Sequence, residues 1–468
     1  MWKKVRIRSP ELMLHLLQRF SKRSRLVKQT QSLMITNGHL LITDQWINTL
    51  LYNALIRSYL CFSSPRISLL LLVQMLRHQS PPNSYTFPSL LKATASLNAL
   101  TLCSAFNSQC VRRGLFNDPF VRTSFVSAYS HVGDMRSARK VFDEIPQPCI
   151  VSYNALLDGL ARNGHMSKAV STFFNMPKRD VYSWTSVIAG YMQRGCFTEA
   201  VSFFAKMMVD EDAIHGRLRP SEATFVCILS CCANSDDGSA LCQGKQIHGY
   251  VIRNNEIGVF VGTALITFYG KMGCLSCAFK VFDLMTVKEV CTWNAMICSL
   301  ALNGRESEAL QMFNRMKTTS LHPNEVTFVG VLSACSRARL VATGMELFQT
   351  MSRDFGITPK MEHYGCVVDL LGRSGLLKEA YKFVTSMPFE ADASVLGALL
   401  GACRVHKDVN LGNEVGHRLL ELQPRHCGRY VLLSSIYAEA EKWDHAAALR
   451  KAMAHAGIQK VPAFSIAD

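Results

Sequence analysis

The sequence has no uninterrupted apolar run long enough to cross a membrane, although 49% of its 468 residues are hydrophobic. The nearest candidate, ISLLLLVQML from Ile67, is interrupted by Gln74 and is far shorter than the ~18 residues of a membrane-spanning helix. No clean apolar run follows the basic residues at the start, so no secretory signal is predicted either. The apolar content is instead enough for a large buried core.

Acidic residues are scarce, most of all near residue 1. The chain has 51 Lys and Arg against 35 Asp and Glu, which gives a formal net charge of +16. Residues 1–28 contain nine basic residues and one acid, Glu11, and so carry +8 of that charge. A basic, acid-poor segment with leucines on a plausible helix is typical of an organelle transit peptide. We therefore predict a transit peptide, or a basic arm, over residues 1–30.

Signatures of catalysis and cofactor binding are also missing. None of the 14 histidines is followed by Glu two residues later, and a zinc deaminase needs that Glu to shuttle protons beside its metal. The single Cys-x-x-Cys, Cys274 to Cys277, lies where a second helix is predicted to begin. In the phosphate-loop-like GSALCQGKQ, Gln246 replaces the Ser or Thr that binds Mg²⁺, and the glycine spacing is one residue too long. We predict no enzyme activity, no metal site and no cofactor.

A stretch of ~30 residues recurs along the chain. YNALLDGLARNGHMSKAVSTFFNM, from Tyr153, returns 140 residues later as WNAMICSLALNGRESEALQMFNRM. The matching positions are Asn154 and Asn294, Gly164 and Gly304, Ala169 and Ala309, Phe173 and Phe313, and Met176 and Met316. Apolar residues recur at helical spacing on both sides of the glycine, which can end a helix in the left-handed conformation. The unit is therefore a helical hairpin whose apolar side is buried only by stacking on its neighbours.

The same pattern divides the chain into ten repeats. Their predicted boundaries are 49–83, 84–118, 119–149, 150–180, 181–221, 222–258, 259–289, 290–324, 325–360 and 361–392. Strands are not needed anywhere. The predicted fold class is all-α, a right-handed superhelical solenoid of helix-turn-helix repeats.

These repeats resemble those of the pentatricopeptide repeat family, in its plant organellar subclass with long, ordinary and short motifs in rotation. The resemblance is carried by RSARKVFDEIP from Arg136, CAFKVFDLM from Cys277 and EHYGCVVDLLGRSGLLKEAYKFVTSMPFEAD from Glu362. By the same resemblance, residues 31–48 are the remnant of a degenerate repeat. Residues 393–468 resemble the E-type C-terminal extension, which consists of two tetratricopeptide-like hairpins.

The resemblance implies an RNA-binding protein that selects sites for C-to-U editing. Such proteins read one unpaired base of single-stranded organellar RNA per repeat. The implied partners are that RNA and a deaminase-bearing pentatricopeptide repeat protein, or another editing cofactor, recruited in trans through residues 393–466. No membrane and no small-molecule substrate is implied. The implied compartment is the mitochondrion, with the chloroplast as the alternative.

The resemblance also implies which side chains contact the bases: a reading residue near the start of each first helix and a residue that closes the motif. These pairs are Asn53 with Asn83, Thr123 with Cys149, Asn154 with Asp180, Thr185 with Ser221, Thr263 with Glu289, and Asn294 with Asn324. Three apolar residues, each one helical turn before a reading Asn, are expected to clamp the base: Leu50, Val151 and Cys291. A single Asn at a helix start is commonly a cap, but three at one register favour base reading.

Base preferences follow from the same resemblance. A reading Asn favours a pyrimidine and Thr a purine, while a closing Asp favours keto-bearing bases and Asn amino-bearing ones. Four reading positions offer no side-chain hydrogen bond: Pro88, Val226, Val329 and Gly365. The expected footprint, 5′ to 3′, is Y-N-R-U-R-N-R-Y-N-N. Two other functions stay open, namely stabilising, splicing or translating a transcript without editing, and a helical scaffold that binds peptides.

Overall fold

The protein is described by a computed structural model over residues 9–21, 23–41, 44–209, 218–254 and 257–460. In these ranges every regular element is helical, with 26 α-helices, two short 3₁₀ helices and no strand. The α-helices are α1 (Pro10–Arg19), α2 (Ser24–Thr36), α3 (Gln45–Cys61), α4 (Pro65–Arg77), α5 (Thr86–Ser96), α6 (Leu100–Arg112), α7 (Pro119–His131), α8 (Met135–Asp143), α9 (Ile150–Arg162), α10 (Met166–Phe174), α11 (Val181–Gln193), α12 (Phe197–Val209), α13 (Glu222–Asn234), α14 (Ala240–Arg253), α15 (Val259–Lys271), α16 (Leu275–Leu284), α17 (Val290–Leu302), α18 (Glu306–Lys317), α19 (Glu325–Ala338), α20 (Val341–Arg353), α21 (Met361–Arg373), α22 (Leu377–Thr385), α23 (Ala393–Val405), α24 (Val409–Leu422), α25 (Cys427–Glu439) and α26 (Trp443–His455). The all-α fold class is confirmed.

Helices α3 to α22 form ten hairpins, one for each predicted repeat. Nine of the ten first helices begin within two residues of the predicted repeat boundary. The exception is α3, which begins at Gln45 instead of near residue 49. It starts early because the Asp44 carboxylate accepts the backbone N–H of Trp46 at 2.9 Å and so caps the helix.

Contacts divide the chain into two units, Met1–Cys231 and Cys232–Asp468. Within each unit the first helix of a hairpin packs on the first helix of the next, as α7 packs on α9 and α17 on α19. Each of these first helices also packs on the second helix of its own hairpin. This arrangement sets the N-terminal turns of consecutive first helices close together, which is where the reading residues lie.

An Asn-Gly pair ends two first helices and also links each of these hairpins to a neighbour. Gly164 and Gly304 have φ of +81° and +71°, a left-handed conformation that costs other residues energy because of their Cβ. Just before Gly164, Asn163 Nδ2 donates to the carbonyl of Ser130 in the preceding repeat at 2.7 Å. The same side chain donates to the carbonyl of Gly159 at 2.8 Å, so one amide both ends its helix and holds its hairpin against the preceding one.

The repeated apolar positions lie in the core, as the sequence predicts. The side chains that recur 140 residues apart are all buried, namely Ala169, Phe173 and Met176, with Ala309, Phe313 and Met316. Phe173 makes an edge-on ring contact with Trp184 of the next first helix, with the ring centroids 4.6 Å apart. This packing holds one hairpin against the next, because a single hairpin cannot bury these apolar side chains.

Part of the segment expected to be a transit peptide or basic arm is helical and packed. Met13 of α1 and Val27 of α2 are fully buried, and α1 packs on α3. The predicted division at residue 30 falls inside α2, so it does not coincide with a boundary in the structure. Targeting by residues 1–30 stays a prediction, and residues 1–8 lie outside the described ranges.

The C-terminal extension forms the two expected hairpins, α23 with α24 and α25 with α26. Its predicted last residues, from 461 onwards, lie outside the described ranges. Among the described residues, no helix combines the length and the apolar content that crossing a bilayer requires. The cores of α21 to α26 run together through Val367, Leu399 and Leu433, which are all buried.

Candidate nucleic-acid interface

Three of the predicted pairs are joined by direct hydrogen bonds, in which the amide of the reading Asn donates to an oxygen of the closing residue. These pairs are Asn53 with Asn83 (3.1 Å), Asn154 with Asp180 (3.2 Å), and Asn294 with Asn324 (3.0 Å). In each pair, the reading residue lies on one first helix. The closing residue immediately precedes the next first helix at Asp180 and Asn324, and Asn83 stands three residues before α5 begins. The structure thus brings into contact the side chains of these three pairs, which the sequence had paired only by their positions in the repeat.

Helix capping fixes the closing residue of these pairs. Asp180 caps α11 by accepting the backbone N–H of Ser183 at 2.8 Å, and Asn324 caps α19 by accepting that of Thr327 at 3.1 Å. An amide nitrogen cannot accept these bonds, so the oxygen of Asn324 must point toward the helix. Its Nδ2 is thereby turned away from the helix end.

A third side chain, which sequence reasoning missed, completes each site. It is a Ser or Thr three residues after the closing residue, and we call it the bridging hydroxyl. Thr86 donates from Oγ1 to Asn53 Oδ1 at 2.7 Å, and Thr327 donates to Asn294 Oδ1 at 2.6 Å. The signal available in the sequence was the capping-box spacing of three residues between the cap and a polar side chain.

The reading threonines meet a bridging hydroxyl instead of their closing residue. The hydroxyl pairs are Thr123 with Ser152 (2.7 Å), Thr185 with Thr224 (2.7 Å), and Thr263 with Thr292 (3.0 Å). In two of these sites the bridging hydroxyl also contacts the closing side chain. Ser221 lies 2.9 Å from Thr224, and the Cys149 thiol lies 3.4 Å from Ser152. At the third site, Thr292 Oγ1 accepts the backbone N–H of Glu289 at 3.4 Å.

The reading asparagines are more deeply placed than the open polar side chains expected from the sequence. Asn154 is 7% and Asn294 is 5% exposed, because each amide lies between two consecutive first helices. The buried Asn154 Oδ1 has no hydrogen-bond partner among the described residues. It differs from Asn294 because Ser183 donates its only hydroxyl proton to Asp180, at 2.7 Å. Burial of an acceptor without a donor from the protein costs free energy.

Polar groups of the closing residues remain available on the surface. Nδ2 of Asn83 and Nδ2 of Asn324 make no hydrogen bond within the part of the chain that the structure describes. Asp180 uses Oδ1 for capping, and its Oδ2 accepts only the Asn154 amide, at 3.3 Å. The closing asparagines therefore present a donor and Asp180 presents an acceptor.

Two of the predicted clamp positions, Val151 and Cys291, lie at the solvent-facing start of a first helix, whereas Leu50 is the sixth residue of α3. Val151 is 60% exposed, Cys291 is exposed and Leu50 is half-buried. The same register carries further exposed apolar side chains, which sequence reasoning did not single out: Tyr85, Phe120, Tyr182, Phe260 and Val326. Their signal was an apolar residue at a helix start, where no core contact is available.

The last two reading positions, Val329 and Gly365, lie beside a cavity. Val329 and Gly365 line a cavity of about 540 Å³ together with Asp392, the closing residue of the tenth repeat. Neither reading position offers a side-chain hydrogen bond to a base.

Family comparisons match the repeats and the extension separately. Models of the PPR repeat match residues 120–147, 151–181, 182–211 and 263–290, and the model of the PPR repeat family matches residues 288–337. The model of the E motif matches residues 406–468, so the match begins directly after α23 and includes α24, α25 and α26.

Relatives of the chain extend over nearly its whole length. A pentatricopeptide repeat-containing protein of Arabidopsis thaliana is 48% identical over 454 residues, which cover 97% of this chain and 96% of the relative. Another from the same plant, named as mitochondrial, is 32% identical and is matched over 91% of this chain and 84% of its own. A third, named as chloroplastic, is 34% identical over 89% of this chain and 44% of its own.

Among solved structures, the crystal structure of the pentatricopeptide repeat protein PPR10 from maize is similar with a TM-score of 0.56. The similarity covers 95% of this chain and 68% of the maize chain, at 15% sequence identity. At that identity it speaks for the fold alone.

Proposed function

Because this chain belongs to the pentatricopeptide repeat family, we propose that it is a sequence-specific single-stranded RNA-binding protein that reads one base per repeat. The observation that carries the proposal is the recurrence of one side-chain arrangement at the start of six first helices. Each copy joins a reading residue to the next helix start and places polar groups of both beside an exposed apolar side chain.

The exposed polar groups of the closing residues account for the proposed preferences between amino-bearing and keto-bearing bases. The ring nitrogen on the Watson–Crick edge of a base is an acceptor in cytosine and adenine. In uracil and guanine it is an N–H donor. The Nδ2 donors of Asn83 and Asn324 therefore suit cytosine over uracil. The Oδ2 acceptor of Asp180 suits uracil. The proposed footprint is Y-N-R-U-R-N-R-Y-N-N, from 5′ to 3′.

Exposed apolar side chains supply the sequence-independent part of binding. A base enters between two of them, as between Val151 and Tyr182 of consecutive repeats, and is held by its faces while its edge meets the polar groups. Stacking of a base on an aromatic side chain contributes about 1–3 kcal/mol. We therefore assign clamping to Leu50, Val151 and Cys291, and extend it to the exposed aromatic residues at the same register.

We further propose that the RNA is an organellar transcript and that the protein is a site-recognition factor for C-to-U editing. The extension over residues 393–466 would recruit a deaminase in trans, and the match to the E motif supports this role. A mitochondrial location is proposed, with the chloroplast as the alternative, since relatives carry either name. A fluorescent fusion of the full chain decides between the two organelles.

A binding assay with short RNAs tests the central proposal. The full chain is expected to bind a ten-nucleotide RNA that fits the footprint at least tenfold more tightly than a shuffled RNA of the same composition. Equal affinity for the two would contradict sequence-specific binding. Binding of peptides with no measurable RNA binding would favour the helical scaffold instead.

The editing role is tested separately, by sequencing organellar transcripts of a plant that lacks the protein. One cytidine that stays unedited just downstream of a matching tract supports editing. A transcript that is degraded, unspliced or untranslated, with editing unchanged, supports the alternative role in RNA stability, splicing or translation.

A further inference from the structure

Every polar reading residue is accompanied by a bridging hydroxyl in the next repeat. The six combinations are Asn53 with Thr86, Thr123 with Ser152, Asn154 with Ser183, Thr185 with Thr224, Thr263 with Thr292, and Asn294 with Thr327. In each of them the hydroxyl stands three residues after the closing residue and two before the next reading residue. Five of the six contact the reading side chain, and the sixth, Ser183, contacts its closing carboxylate.

The four reading positions that offer no side-chain hydrogen bond lack this hydroxyl. Pro88, Val226, Val329 and Gly365 are followed, at the same register, by Val121, Val261, His363 and Val395. The helices there still begin normally. Asp118 caps α7 through the N–H of Phe120 at 2.8 Å, and Asp392 caps α23 through the N–H of Val395 at 2.9 Å. Helix capping alone therefore does not require the hydroxyl.

The geometry at Asn294 explains what the hydroxyl does. Thr327 Oγ1 accepts the backbone N–H of Asn324 at 3.0 Å and donates its own proton to Asn294 Oδ1 at 2.6 Å. With its oxygen held in this way, the Asn294 amide can only turn its Nδ2 toward Asn324. Loss of the hydroxyl would leave the amide free to rotate and exchange donor and acceptor.

We propose that the bridging hydroxyl is a third specificity-determining residue, which positions the reading side chain from the following repeat. This inference rests on the proposed function and deepens it. The base preference of a repeat then depends on three side chains, one of which belongs to the next repeat. A repeat transplanted without its C-terminal neighbour would therefore lose selectivity while keeping its reading and closing residues.

Thr327→Val tests the positioning role, since valine keeps the shape of threonine without its hydroxyl. The full chain is titrated with two ten-nucleotide RNAs that fit the footprint and differ only in C or U at the eighth base. The unchanged protein is expected to prefer C, and Thr327→Val to reduce that ratio about fivefold, the effect of one hydrogen bond. Thr327→Ser, which restores a hydroxyl, is expected to keep the ratio.

A purely structural role gives a different result. If Thr327→Val lowers the melting temperature and weakens binding of both RNAs equally, with an unchanged C-to-U ratio, the inference is overturned while the proposed function stands. Equal binding of matched and shuffled RNA by the unchanged protein would overturn both.

The tenth repeat offers the converse experiment. Gly365 has no side chain, and the Val395 methyl lies 3.7 Å from where its Cβ would stand, beside the closing residue Asp392. Gly365→Asn with Val395→Thr is expected to create a preference for U at the tenth base. Gly365→Asn alone should give a smaller preference, because its amide is not oriented. An equal gain from the single and the double substitution contradicts the inference.

Discussion

At the scale of single residues, the candidate interface depends on whether a closing side chain presents a donor or an acceptor. The repeat register predicted the three pairs that a reading Asn forms, because a period of about 30 residues in the sequence becomes a side-by-side position in the structure. It did not predict that the reading threonines meet a bridging hydroxyl instead of their closing residue. It did not predict the orientation of Asn324 or the burial of Asn154, because both depend on the start of the neighbouring helix. The orientation of Asn324 and the burial of Asn154 decide which hydrogen-bond donors and acceptors a base would contact.

Asp180→Asn is expected to change the preferred fourth base from U to C. The substitution replaces the outward carboxylate oxygen with an N–H donor, while the remaining oxygen can still cap α11. The change in the U-to-C affinity ratio should be about tenfold or more, as for a hydrogen bond to a charged group. Competition binding with two RNAs that differ only at that base measures it. Asp143→Asn, an exposed position on α8, is the control and should leave the ratio unaltered.

Cys149 is expected to be alkylated much faster than the buried thiols near neutral pH. Its partial burial would raise the pKa of this thiol, but hydrogen bonds from Ser152 and the local backbone outweigh that effect and lower it. Burial raises the pKa of Cys110 and of Cys403 to about 12, so almost none of either is thiolate at pH 8. Mass spectrometry after brief iodoacetamide treatment compares the three sites. Bound matching RNA should slow the reaction at Cys149, and an unchanged rate would place that residue outside the interface.

At the scale of elements, the close contact between consecutive first helices depends on residues without a side chain. A Cβ on Gly270 of α15 would overlap the Ser299 side chain on α17. The hydrophobic pattern predicted both helices and their pairing. The hydrophobic pattern did not predict this contact, since a glycine within a helix cannot be told in sequence from any other weak helix former.

Gly270→Ala and Gly249→Ala form a matched pair that tests this packing. Both glycines lie within helices, but nothing stands within 4 Å of a Cβ added to Gly249. Gly270→Ala is expected to destabilise the fold by about 1–3 kcal/mol through overpacking. Gly249→Ala should leave stability equal or raise it by up to about 1 kcal/mol through helix propensity. Urea unfolding followed by circular dichroism measures both; equal effects would contradict the close contact.

At the scale of the whole molecule, the net charge of +16 predicts strongly salt-dependent RNA binding. Each phosphate neutralised on a single strand contributes about −0.7 to the slope of log K against log salt concentration. A tract spanning several repeats should therefore give a clearly negative slope between about 50 and 200 mM salt. The ratio of affinities for matched and shuffled RNA should change little, because base reading releases few counterions. Filter binding across that salt range measures both, and a flat slope would favour the peptide-binding scaffold.

The sequence by itself determined the ten hairpins, nine of the ten starts of their first helices, and the buried Ala, Phe and Met positions. Each of these follows from local periodicity, a left-handed glycine and a proline, which act within about one repeat. Only the tertiary structure decided that α1 packs on α2, that Asn154 and Asn294 are buried, and that Thr327 donates to Asn294. These outcomes depend on contacts between separate helices, and a hydrogen-bond direction or a buried face is fixed only when both partners are in place.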